Sequence, residues 1–168
     1  SDIGLDFFGQ HEKIITELGT QAETIPTGWN FIDEKIGGGL AKNGRALYLF
    51  LGPTNVGKSI FLGNVASNMA SRGLTTVLIS LEMPEMMYAK RISSHVSKIP
   101  IKDIQQQIGS LESYFKEVSE SRKRKLIIKE YPTATASAIH FRNLLNELAL
   151  KKHFKPDILL LNKKLPLP

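Results

Sequence analysis

The eight residues 52–59 read GPTNVGKS and constrain the fold more than any other part of the chain. They match the pattern G-x-x-x-x-G-K-[ST], in which a glycine-rich loop folds back so that successive backbone N–H groups point inward. An apolar stretch, ALYLFLG at 46–52, precedes the loop, and a helical pattern runs from Lys58 to about Arg72, with Gly73 as its stop. The order strand, loop, helix is the context that a phosphate-binding loop requires, and it argues against a chance match.

This loop predicts contacts with a nucleoside triphosphate. The helix that starts near Lys58 directs the positive end of its dipole toward the loop. Lys58 can extend to the β- and γ-phosphates, and the Ser59 hydroxyl can coordinate Mg²⁺. We therefore expect a nucleoside triphosphate and Mg²⁺ as cofactors. The predicted nucleotide contacts are Gly52, Pro53, Thr54, Asn55, Val56, Gly57, Lys58, Ser59 and Ile60.

The rest of the chain alternates between apolar strands and amphipathic helices. Further strands are predicted at TTVLISLE (75–82), KLIIKEY (125–131) and DILLL (157–161). Between them the pattern predicts three helical segments: Pro84 to about Lys98, then 101–121 with a break near Gly109, then 137–152. Nearly continuous apolar strands separated by helices indicate an α/β fold, a parallel sheet flanked by helices on both faces.

Glu82 is the best candidate for a catalytic carboxylate. Hydrolysis requires a group that orients or deprotonates the attacking water. Glu82 follows the second predicted strand, at the sheet edge where the phosphate loop also opens. An acid at this place could equally cap the following helix, and spacing alone does not choose between the two roles.

Three longer stretches carry a family resemblance: ETIPTGWNFIDEKIGGGL, GPTNVGKS and ISLEMPEMMYAKRI. In this order they resemble the ATPase domain of DnaB-like hexameric replicative DNA helicases, which belong to the RecA-like class of P-loop proteins. The similarity extends over most of residues 3–161. The segments KEYPT and FRNLLNELALKKHF are most similar to the family members that T-even-type phages encode. The resemblance implies a RecA-like P-loop NTPase core, with Glu82 as the catalytic base and Lys58 as a second catalytic residue.

For the parent protein, the resemblance implies ATP-driven 5′-to-3′ translocation on single-stranded DNA and unwinding during replication. The implied partners are single-stranded DNA, further copies in a homo-hexamer, primase and a helicase loader. It also divides the chain into a linker helix segment, 1–20, and a partial ATPase domain, 21–168. Phe7 and Phe8 in the linker either contact a neighbouring subunit or pack on the core of their own chain.

The last predicted strand departs from the family pattern. The family has an aspartate of the Walker B motif where this sequence has Asn162, and the sequence ends at residue 168. An asparagine can hold a water ligand of Mg²⁺ but supplies no charge. Asp157 begins the same strand, far from the phosphate edge. The sheet is thus expected to stop after the Walker B strand, and the family's arginine finger and DNA-binding loops would lie beyond it. We expect weak activity; the alternatives are a nucleotide-binding module without hydrolysis and another RecA-like ATPase.

Composition adds little to this. The net charge of +6 favours polyanionic partners, although SRKRK at 121–125 is typical of a solvated helix end. The chain has no cysteine, no apolar run long enough for a membrane span and no signal-peptide pattern, so we expect a cytoplasmic protein, in the host if phage-encoded, with no membrane partner. The four histidines share no metal-ligand spacing. Residues 89–91, AKR, could face DNA or a neighbour's nucleotide, but an exposed helix face is favoured.

Overall fold

The computed structural model describes residues 4–20, 23–42, 46–53, 55–121, 125–132 and 136–163. The chain forms two compact units, Ser1–Leu49 and Phe50–Pro168. The predicted boundary after residue 20 remains a prediction.

The first unit contains two short helices and one small ladder. Its elements are α1 (His11–Leu18), β1 (Thr24–Ile25), α2 (Asn30–Lys35) and β2 (Leu40–Ala41), and β1 pairs antiparallel with β2. The buried Asp33 carboxylate fixes the turn into α2, because it accepts hydrogen bonds from the Thr27 N–H at 2.7 Å and the Thr27 hydroxyl at 2.8 Å. These hydrogen bonds tie the segment before α2 to the helix itself.

Helix α1 has no buried residue. The Phe7 and Phe8 side chains are 63% and 85% exposed, and their rings contact each other edge to face at 5.2 Å. Packing of these two rings on the core of their own chain is therefore wrong. Contact with a neighbouring subunit remains a prediction.

The second unit is built on a parallel sheet. In chain order its elements are α3 (Lys58–Ser71), β3 (Thr75–Ser80), α4 (Glu85–Ser97), a 3₁₀ turn (Ile101–Asp103), α5 (Ile108–Ser121), β4 (Lys125–Glu130), α6 (Ala138–Lys152) and β5 (Ile158–Asn162). The strand order is β4-β3-β5, and both ladders are parallel. The predicted parallel sheet flanked by helices is confirmed.

The central strand β3 is the core of this unit. Val77 and Ile79 are fully buried and pack with Leu148 of α6 and Phe154. Helix α3 contacts β3 and β5 and packs on α4. Both edges of β3 are hydrogen-bonded and both faces are covered, so its carboxyl end is held firmly in place.

The stretch 46–52 is not a strand. Residues 46–51 pair with no strand in the described part of the chain, and Leu47, Leu49 and Leu51 are 84%, 73% and 74% exposed. An apolar run becomes a strand only where another strand offers it a ladder. Among the described residues no strand pairs with 46–51, so the apolar pattern alone was misleading here.

The predicted helix limits shift by one or two residues. Gly73, at φ +86°, ends α3 in a Schellman motif: its N–H bonds to the Ala70 carbonyl, and the Leu74 N–H bonds to the Met69 carbonyl. Pro84 is the N-cap of α4 rather than its first residue. The break in the next segment lies before Ile108, not at Gly109. No helix within the described residues is long and apolar enough to cross a membrane.

Candidate nucleotide-binding site

The two glycines of the loop are required for different reasons. Gly57 has φ +91° and is the residue that caps α3, so a side chain here would be strained although space is free around it. A Cβ at Gly52 would lie 2.9 Å from Val56 Cγ2, which is too close. Asn55 also has a positive φ, 65°, which asparagine tolerates better than most residues. Thr54 lies outside the described residues.

Helix α3 begins without a side-chain cap, because Gly57 offers none. The N–H groups of its first turn therefore keep their donors for an outside acceptor. The Lys58 ammonium lies over the loop and donates a hydrogen bond to the Gly52 carbonyl at 2.9 Å. Loop and helix thus collect positive charge and N–H donors at one place.

A turn after β3 carries Glu82 to the same place. The Ser80 hydroxyl fixes this turn, since it accepts from the Met83 N–H at 2.8 Å and donates to the Met83 carbonyl at 2.6 Å. Glu82 is exposed and lines a cavity of about 360 Å³ that the loop also lines. The residues around this cavity are Asn55, Gly57, Lys58, Ser59, Ile60, Glu82, Met83 and Arg91. Pro84 caps α4 without any side-chain hydrogen bond, so Glu82 is not the helix cap.

Asn162 lies beside Ser59. Its Nδ2 donates a hydrogen bond to Ser59 Oγ at 3.2 Å, and its backbone carbonyl accepts from the Leu81 N–H at 2.9 Å. The side chain is 5% exposed. The end of β5 is thus anchored to the end of β3 and turned toward the first turn of α3.

Asp157 lies at the opposite end of β5. Its Oδ2 accepts hydrogen bonds from the N–H and the hydroxyl of Thr75, each at 2.7 Å. It ties the starts of β5 and β3 together. This position agrees with the prediction that Asp157 begins the strand at the end away from the phosphate loop.

Two residues of α4 were not expected in the site. Arg91 lines the cavity and is half-buried, so the predicted exposed helix face is wrong for this member of residues 89–91. Tyr88, three residues earlier, is fully buried against α3. Their spacing places both on one face of α4. That spacing is the only signal in the sequence, and it is also typical of ordinary helix packing.

The Tyr88 phenol has a strongly perturbed environment. Burial raises its pKa to about 12, and the nearby Glu82 carboxylate adds to this, while Ser59, Arg91 and Asn162 act in the opposite direction. The Tyr88 hydroxyl has no hydrogen-bond partner among the described residues.

The groups around Ser59 fit Mg²⁺ only in part. Ser59 offers a hydroxyl oxygen, and Asn162 offers an amide that can hold water. Within the described residues no group of three or more histidine, aspartate or glutamate side chains could hold a metal ion. A Mg²⁺ ion at Ser59 would therefore depend on the nucleotide phosphates for most of its negative charge.

Comparison with known proteins agrees with this geometry. Residues 24–154 match the family model of the DnaB-like helicase C terminal domain. The chain is 33% identical over 166 residues to the DnaB-like replicative helicase of Enterobacteria phage T4, an alignment that covers 96% of this chain and 34% of the relative. It thus spans about a third of the length of that protein. By both measures, the chain belongs to the family of DnaB-like helicase C-terminal domains.

Proposed function

We propose that this chain is the nucleotide-binding portion of the ATPase core of a replicative DNA helicase. The observation that carries the proposal is the shared cavity: the phosphate loop lines one side and Glu82 the other. Family membership and the name of the phage relative support the helicase assignment.

In this proposal the loop holds the triphosphate. The N–H donors of the first turn of α3 and the Lys58 ammonium bind the β- and γ-phosphates, for which Lys58 exchanges its present bond to the Gly52 carbonyl. Ser59 provides a hydroxyl ligand for Mg²⁺. When bound, Mg²⁺ neutralises charge on the phosphates.

Glu82 is the proposed catalytic base. It is exposed to the cavity, so a water between its carboxylate and the phosphate loop is sterically allowed. The Ser80 hydroxyl stiffens its turn, which limits the range of positions that the carboxylate samples. A general base contributes about 10²–10⁴ in rate where it is correctly placed.

Asn162 favours a second candidate for the chain taken by itself, a nucleotide-binding module with little hydrolysis. A neutral amide beside Ser59 adds no charge to the metal. Binding without efficient turnover is the result.

For the whole protein we also propose translocation on single-stranded DNA and assembly into a hexamer. The proposal includes contacts with primase and a helicase loader, and a cytoplasmic location. The name of the phage relative supports a role in replication. The exposed Phe7 and Phe8 support a contact of the N-terminal segment with another subunit.

Calorimetric titration with a non-hydrolysable ATP analogue, with Mg²⁺ and with EDTA, tests the binding step. Steady-state ATP hydrolysis, measured with and without single-stranded DNA, tests the catalytic step. We expect measurable affinity and hydrolysis near background. Absence of any binding would overturn the nucleotide assignment. Robust Mg²⁺-dependent hydrolysis that Glu82→Gln abolishes would overturn the binding-module candidate and leave the ATPase.

A further inference from the structure

Tyr88 carries a hydroxyl group into the buried contact between α4 and α3, where packing alone does not require one. The side chain is fully buried, and its ring lies against α3 at Gly63, where a Cβ would be 3.4 Å from Tyr88 Cδ1. Gly63 is one helical turn after Ser59, so the phenol end of the ring is within range of the start of α3. A phenylalanine would fill the same space.

The unpaired hydroxyl is costly. A buried polar group without a hydrogen bond destabilises a fold, because it has lost its bonds to water and gained none in return. The Tyr88 hydroxyl has no partner among the described residues, yet Ser59 and Asn162 are near enough to influence its pKa. A group retained at such a cost, beside two polar side chains of the candidate site, points to a ligand-bound role.

Within the part of the chain that the structure describes, the Ser59 hydroxyl is given no acceptor for its hydrogen. Its oxygen already receives a hydrogen bond from Asn162 Nδ2. In this orientation the amide nitrogen cannot take the hydrogen of the Ser59 hydroxyl, because Nδ2 is only a donor. A carboxylate at position 162 would accept that hydrogen and leave an oxygen lone pair of Ser59 for a metal ion.

We propose that Tyr88 is a positioning residue of the phosphate site: when nucleotide and Mg²⁺ bind, its phenol oxygen, which has no partner among the described residues, accepts the hydrogen of the Ser59 hydroxyl. With this hydrogen directed into the protein, a lone pair of Ser59 Oγ faces the cavity, where Mg²⁺ arrives with the nucleotide. Tyr88 thereby takes over part of the role that an aspartate would have at Asn162. The inference rests on the proposed nucleotide site and concerns how that site is oriented.

The test is the Mg²⁺-dependent part of nucleotide affinity. Tyr88→Phe should weaken binding of a non-hydrolysable ATP analogue with Mg²⁺ by about three- to tenfold, the value of one hydrogen bond. Binding in EDTA should not change. The melting temperature should stay equal or rise, because the variant removes a buried group without a partner.

Two further variants make the test specific. Tyr131→Phe is the matched control: it removes a phenol hydroxyl that donates to the His140 carbonyl at 3.4 Å, outside the cavity, and should leave both affinities unchanged. In an Asn162→Asp background the carboxylate takes the Ser59 hydrogen, so Tyr88→Phe should lose its effect.

Each other outcome contradicts the proposal. Equal affinity of Tyr88→Phe and the unchanged chain with Mg²⁺ overturns it, while nucleotide binding by both keeps the proposed function. If Tyr88→Phe lowers nucleotide affinity equally with Mg²⁺ and with EDTA, Tyr88 has a general packing role instead. The same holds if the loss of affinity is undiminished in the Asn162→Asp background. Absence of nucleotide binding in the unchanged chain removes the proposed function, and the inference with it.

Discussion

The two ends of the same parallel sheet use polar residues in opposite ways. At the amino end, Asp157 and Thr75 satisfy each other: the carboxylate accepts two hydrogen bonds from Thr75, and the Asp157 N–H donates to the Thr75 carbonyl at 2.8 Å. At the carboxyl end, Glu82 is exposed and the Tyr88 hydroxyl has no partner among the described residues.

Strand β5 has a structural residue at one end and a candidate site residue at the other. β5 begins at one end with an aspartate clamp and finishes at the other with Asn162 beside Ser59. Polar groups that are fully paired with one another stabilise a fold, whereas groups left facing a cavity are available to a ligand. Substitutions at the two ends should therefore affect different measurements.

Lys58→Ala should have the largest effect on the carboxyl end. The ammonium is the cation that the loop contributes to the phosphates, and charge-assisted bonds of this kind are worth about 1.5–3 kcal/mol each. We expect nucleotide affinity to fall by about a hundredfold in calorimetry. The melting temperature should change little, because the side chain is only half-buried and its bond is to a loop carbonyl. Unchanged affinity would show that the loop does not bind phosphate.

Asp157→Ala, at the amino end of the sheet, should lower stability and leave nucleotide affinity unchanged. The variant loses the bond from the Thr75 N–H at 2.7 Å, whereas the Thr75 hydroxyl keeps the Lys155 carbonyl at 2.6 Å as an acceptor. The free energy of unfolding should fall by about 1–2 kcal/mol in urea denaturation. Nucleotide affinity should not change. Glu112→Ala, which removes an exposed carboxylate of α5, is the control and should leave stability nearly unchanged. A loss of nucleotide affinity in Asp157→Ala would break the separation between the two ends.

The same comparison shows which features a sequence can reveal. The phosphate loop, the helix after it and the parallel sheet were predictable because local spacing encodes them: Gly57 must adopt a positive φ, and β3 is a continuous apolar run. The position of Glu82 followed from the rule that parallel strands end at one edge.

Features that depend on distant partners were not predictable. The run 46–52 has the composition of a strand but finds no ladder among the described residues. Arg91 looks like helix surface and Tyr88 like helix core, and only the packing of α4 on α3 brings Arg91 to the cavity and Tyr88 against Gly63. Their roles depend on what faces them, which the linear pattern does not contain.

Asn162→Asp should place a negative charge at the carboxyl end of the sheet, beside Ser59. Without nucleotide the nearly buried carboxylate should lower the melting temperature, since a charge is desolvated. With Mg²⁺ and nucleotide the affinity should rise a few-fold, because the metal gains a charged neighbour. Hydrolysis should stay near background, since one carboxylate does not replace an arginine finger. Recovery of full ATP turnover by this change alone would contradict the expectation that one carboxylate is not sufficient for hydrolysis.

Substitution of His95, which belongs to neither group of polar residues, should have the smallest effect. It is half-buried on α4, with Nε2 3.4 Å from Asn68 Oδ1 of α3. Burial, and then the charge of Lys98, lower its pKa below the usual 6.5. The unfolded chain therefore binds a proton first as the pH falls, and the contribution of His95 to stability, full above pH 6.5, declines below it until the folded pKa is passed.

His95→Gln should flatten this decline, with a change in slope of at most about 1.4 kcal/mol per pH unit. The measurement is urea denaturation between pH 7.5 and about 5. His11→Gln, at the exposed start of α1, is the matched control and should keep the slope of the unchanged chain. Nucleotide affinity at pH 7.5 should be the same in both variants, because neither histidine lines the cavity. An equal slope in His95→Gln and the unchanged chain would show that the α3–α4 contact does not respond to this proton.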